Sequence, residues 1–218
     1  PSNPVNKSSP TDAVIKAVVS GQLEASASAT GDASLPKIHK GWYEVKGKSS
    51  DFKLNLDQGT VQLSAANTNA PAADSSNTPS KTLDAPKRVM FDDKAVAFGT
   101  EAETVAKLLG AVFGKEAVAN KQYAAIGLDL LDSGMSVANL AELAAKAAGL
   151  DDHPKIVAKL WSNLFHRDGA VDELKPYVKM LDDGASVSSL VLLAANTDLN
   201  TNNINLVGIQ QSGLEFGS

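Results

Sequence analysis

Two serines stand where a nucleophile would be sought. "GMSVA" and "GASVS" open like the Gly-x-Ser-x-Gly elbow that raises a serine hydroxyl on a strand-to-helix turn, but both lack the closing glycine. Each follows one apolar helical run and precedes another. Ser136 and Ser186 therefore read as helix N-caps, and Gly134 and Gly184 as the residues that end the preceding helix in a left-handed conformation. "DLNTNN" sets Asp198, Asn200 and Asn202 at alternate positions, like the opening of an EF-hand loop, and calcium is the cation such oxygens suit. The sixth and twelfth positions hold Asn203 and Ile209 instead of Gly and Glu, so an Asn-rich loop bonded to its own backbone competes with the metal reading. His39, His153 and His166 show no ligand spacing, and there is no cysteine to supply a thiolate or a disulfide. With no phosphate-binding glycine loop either, the chain reads as a non-enzyme without a cofactor, calcium apart.

The remaining chemistry is a basic, aromatic stretch, "KIHKGWYEVKGK". Lys40, Trp42, Tyr43 and Lys46 are the residues that would hold an anionic glycan there. The competing reading is a strand with a solvated face whose aromatics point into a core. The formal charge of −5 over 218 residues, with signs mixed, excludes the broad basic face that nucleic acid requires. No apolar run is long enough to cross a bilayer.

Three regions must position these residues. Residues 1–65 alternate with period two in "QLEASASAT", "FKLNL" and "TVQLS", and "AVIKAVV" is rich in β-branched residues, so a small antiparallel β region is expected. Residues 66–87 are rich in Pro, Ser and Asn and read as a linker. In residues 88–218, Val89–Phe91 and Ala95–Phe98 flank a polar turn, as a short hairpin would. Strand signals then stop, and six segments carry the three- and four-residue apolar spacing of amphipathic helices. The fold class is α+β: a small β region followed by an all-α domain.

That helical domain is written twice. "LDSGMSVANLAELAA" (131–145) recurs as "LDDGASVSSLVLLAA" (181–195), an offset of about 50 residues, and "VAKLLGAVFGK" (105–115) recurs as "VAKLWSNLFHR" (157–167), about two residues further apart. The unit is helix, loop, helix, tight turn, helix, with a shorter loop in the second copy. Asp132 and Asp182 sit near helix C-termini, where a carboxylate is slightly unfavourable, and are expected to bond turn amides.

Residues from about 88 onward resemble a helical-repeat family of unknown function found in bacterial exported proteins beside hemolysin-type calcium repeats and surface-layer proteins. The likeness is carried by "RVMFDDKAVAF", "LWSNLFHR", "LDDGAS" and "INLVGIQQSGLEF". "DGAVDELKPY" keeps only part of the family's pattern after the arginine. The resemblance implies export and a cell-surface or matrix setting, with no catalytic residues to carry over. The start at Pro1 then means a removed leader or a fragment of a longer chain. The expected role is a non-catalytic structural or interaction protein outside the cell that self-associates into a filament or layer. A β region this small leaves open edges a neighbour's strand would cover, with "PSNPVNKSSP" as a candidate arm. The alternative is a secreted module binding a polysaccharide or another cell-surface component through the Trp42–Tyr43 segment.

Overall fold

A computed structural model describes residues 41–57, 60–65, 81–84 and 86–217. The expected strands in "AVIKAVV" and "QLEASASAT" lie outside these residues, as do Lys40 and the arm. The molecule is α+β, with two small sheets against a body of helices.

The first sheet has the order β1 (Trp42–Glu44), β5 (Arg88–Met90), β6 (Ala95–Ala97), β7 (Leu214–Phe216). The second has the order β2 (Phe52–Asp57), β3 (Thr60–Ala65), β4 (Lys81–Asp84) and is antiparallel throughout. Between them lies a core of Val61, Leu63 and Leu83 from one sheet and Val89 and Val96 from the other. Three expectations change here. The stretch 66–87 contains a strand, β4, because Leu83 finds a buried place opposite Val61. The β region is mixed, since β1 runs parallel to β5 and the first sheet thereby draws strands from both sides of the expected boundaries. Strand signals also do not stop after β6: "LEF" returns as β7 to pair antiparallel with it.

The helices are α1 (Gly99–Phe113), α2 (Lys121–Asp132), α3 (Val137–Ala147), α4 (His153–Phe165), α5 (Val171–Asp182), α6 (Val187–Ala195), α7 (Asp198–Asn203) and α8 (Leu206–Ser212). Helices α1–α3 form the first repeat and α4–α6 the second. Counterparts meet: α1 packs on α4, and α3 on α6 through small residues such as Ala141, Ala145, Ala194 and Ala195. Asn163 stands in α4 where Ala111 stands in α1, and its amide donates to the Ala111 carbonyl at 2.8 Å. The two units thus cross at equivalent residues.

The tight turns are alike in detail. Gly134 has φ 94° and Gly184 φ 102°. Their amides donate to the carbonyls of Leu131 and Leu181, and the next amides, of Met135 and Ala185, reach back to Leu130 and Met180. Ser136 then accepts from the Asn139 amide at 3.2 Å, and Ser186 from the Ser189 amide at 3.1 Å. Each cap of this type contributes about 1 kcal/mol.

Asp132 and Asp182 do not serve the turns. Arg88, fully buried on β5, places Nη2 at 3.0 and 2.9 Å from the two Asp132 oxygens and 3.4 Å from Glu101. Asp182 instead meets His153 Nδ1 at 2.7 Å. His153 occupies in α4 the place of Glu101 in α1. In both units, then, a polar contact ties the start of the first helix to the end of the second. Only the first unit routes it through a buried arginine, which also fastens the sheet to the helices.

Candidate interaction surface

Each unit holds an apolar groove at corresponding positions. In the first, Val105, Leu108, Leu109, Phe113, Gly127 and Leu143 line a slot of about 60 Å³. In the second, Val157, Leu160, Trp161, Phe165, Tyr177 and Leu193 line one of about 260 Å³. Glycine accounts for much of the difference. A Cβ on Gly127 would lie 2.9 Å from Val105 Cγ1, so α2 closes on α1 as only a residue without a side chain permits. Tyr177 takes that place in α5 and holds the second groove open.

The second groove carries aromatic side chains into solvent. Trp161 and Phe165 stack with centroids 4.1 Å apart, and the Tyr177 ring lies 6.2 Å from Trp161. Phe165 is 43% exposed, Leu193 53%, and Tyr177 and Leu199 37% each. Arg167 lies 5.5 Å above the Trp161 ring, near enough for a cation–π contact. Its two amino groups grip Glu173 at 2.8 and 2.6 Å. Glu173 also accepts from the Ala170 amide, capping α5. The Arg167 guanidinium, helped by that amide, holds the Glu173 carboxyl down to about 2. The groove therefore ends in a charge pair already neutralised within the unit.

Charge is scarce along the other wall. From Ala185 to Leu214 the sole charged side chain is Asp198. Half-buried Trp161, exposed Phe165 and Tyr177, and Arg167 are of the residue types enriched at interface centres.

The residues singled out from the sequence fall elsewhere. Trp42 and Tyr43 are neighbours in β1, so they face opposite sides of the sheet. Trp42 shares a face with Arg88, Ala97 and Leu214, whereas Tyr43 packs into the core between the sheets. They do not form one aromatic platform. Lys46 is exposed beyond the strand end, and Lys40 lies outside the described residues.

"DLNTNN" is not a loop. Thr197 caps it, accepting from the Asn200 amide, and it winds as α7. Helical spacing turns Asn200 away from Asp198 and Asn202. Asn200 is buried and donates to the carbonyls of Lys107 and Ala195, while Asp198 and Asn202 are exposed. The three oxygens are not brought together for calcium. Among the described residues no group of three acidic or histidine side chains is placed to hold a metal, and no helix is long and apolar enough to cross a membrane. Gly134, Ser136, Gly184 and Ser186 lie at the two tight turns, away from the grooves.

In comparisons with known proteins, no family model, curated protein or solved structure matches the chain. The aromatic groove had a signal in the sequence: aligning the two copies sets Trp161 against Leu109 and Tyr177 against Gly127, replacements that favour contact over closure.

Proposed function

We propose that this chain is a non-catalytic interaction protein that works outside the cell, as a subunit of a surface or matrix assembly. The observation that carries the reading is the open groove of the second unit, with Phe165, Tyr177, Leu193 and Leu199 in solvent beside a neutralised Arg167–Glu173 pair. A folded chain tends to bury such side chains unless a partner covers them. The extracellular setting is supported by the motifs "LWSNLFHR" and "LDDGAS" and is compatible with a chain without cysteine.

The test is a photo-crosslinking residue at position 193, introduced in the cells that make the protein. An adduct to protein, recovered from the cell surface or medium and absent when the label is moved to exposed Ala138 on α3, is the expected result. No adduct at position 193 overturns the reading of the groove. Adducts confined to the cell interior overturn the setting.

A further inference from the structure

The two ends of the α4–α5 pair are fastened by different chemistry. At one end Arg167, just past α4, grips Glu173 in the first turn of α5. At the other, His153 at the start of α4 meets Asp182 at the end of α5, Nδ1 to Oδ1, at 2.7 Å. Between these clasps α5 is thinly held. Leu181 is its one buried residue, whereas its counterpart α2 buries three and is backed by β7. Pro176 stands inside α5 and has no amide hydrogen to donate to the Asp172 carbonyl, so a helical bond is missing beside Tyr177. Few buried apolar contacts and a broken ladder of helical bonds mark a segment that opens locally while the rest of a fold stays intact.

We infer that α5 is a lid on the second groove, and that the His153–Asp182 contact is a pH-sensitive catch for it. The inference rests on the reading of the groove as the working surface and adds its regulation. Lifting α5 takes Tyr177 from the groove wall and widens access to Val157, Leu160 and Trp161. A histidine ring changes charge in the neutral range, at about pH 6.5, where arginine and ordinary carboxylates do not. The catch is an ion pair while the ring is charged and a neutral hydrogen bond once it is not. Its contribution is therefore full in mild acid and falls as pH rises, while Arg167–Glu173 stays closed throughout. The charges beside His153 are already paired: Lys155 bonds Asp151 and Asp152, and Lys179 bonds Asp183. Of the other elements packed on α4, α6 has no charged residue, α7 has Asp198, and α1 has Glu101, Glu103 and Lys107. Among the described residues Asp182 is the one carboxylate within ion-pair distance of His153. The first unit has no such catch, because the buried Arg88 that ties α1 to α2 keeps its charge.

The experiment is amide hydrogen exchange of the full chain, read by mass spectrometry at about pH 5.5 and about pH 8, with rates corrected for the intrinsic effect of pH. In wild type, α5 should exchange roughly tenfold or more faster than α2. Its opening should rise by a further factor of roughly two to five between the lower and the higher pH, the range an exposed ion pair commands. His153→Gln should leave α5 at the more open level at both pH values. His153→Arg, with a charge that does not titrate, should hold it at the more closed level. The His153 side chain is 38% exposed, so both replacements leave the core untouched. Equal protection of α5 and α2 overturns the lid. A pH response that is absent in wild type, or that survives both replacements, overturns the catch. No partner enters this experiment. A missing cross-link at position 193 therefore removes the groove as a working surface while the opening of α5 is still measured, and a closed α5 removes the lid while the groove reading stands.

Discussion

The two helical units share a sequence pattern and differ in what surrounds them. Helix α1 buries residues around most of its circumference, from Ala102 to Val112, whereas its counterpart α4 buries one stripe of Ile156, Val157, Leu160 and Leu164. Helix α2 is covered by the returning strand β7 and buries Ala124, Gly127 and Leu128. Helix α5 packs on α4 and α6, with Leu181 buried. The first unit has become the interior of the protein, with small residues wherever neighbours must approach. The second, relieved of that duty, carries large aromatic side chains at the same positions. Duplication therefore separated holding the fold together from presenting a surface.

The sharpest way to break this comparison is at the paired aspartates. Asp132→Ala leaves the Arg88 guanidinium buried, with Glu101 at 3.4 Å as the carboxylate still within ion-pair distance, and should cost about 3 kcal/mol. Asp182→Ala frees His153, whose side chain is 38% exposed, and should cost under about 1 kcal/mol. Urea denaturation of both variants checks this, and equal losses would mean that the two units bear the same load.

A smaller effect is expected at the helix crossing. Gly127→Ala forces its new Cβ against fully buried Val105 and should cost about 1–3 kcal/mol. Tyr177→Ala, at the corresponding place, should cost less and leave thermal unfolding close to wild type. The reverse order would show that Tyr177 closes the second unit instead of holding it open.

The smallest effect concerns the exposed pair at the groove's end. Glu173 is depressed to about 2, below the roughly 4.3 of a free glutamate. Its contribution is therefore complete above the unfolded value and is lost as pH falls through about 2. An NMR titration of the Glu173 side chain should show a midpoint near that value, moving up when Arg167 is replaced by Gln. A wild-type midpoint near about 4 would mean that Arg167 is not held against Glu173 in solution.

Much of this plan was legible because it is local. The repeat, the glycine turns with their serines, and strands β2 and β3 are written in spacing and residue type. What could not be read depends on distant partners. Strands β4 and β7 span a few residues each, too short for a period to show, and exist because Val61 and Val96 offer them places opposite Leu83 and Glu215. The Arg88–Asp132 contact joins residues 44 apart in the chain and has no local signature. "DLNTNN" spells a calcium-loop opening and a capped helix equally well, and burial of Asn200 decides between them. Trp42 and Tyr43 are neighbours in the chain, but the strand sends them to opposite faces, and Tyr43 enters the core as the strand reading of that stretch expects.

The strand β7 has a consequence for how the chain comes into being. Lys94 and Glu215, which meet across the sheet, are separated by 121 residues. Until the helices have been synthesised, the strand that pairs with the outer edge of β6 does not yet exist. Closure of that sheet therefore waits until the whole helical body has been delivered, the kind of distant pairing that slows folding.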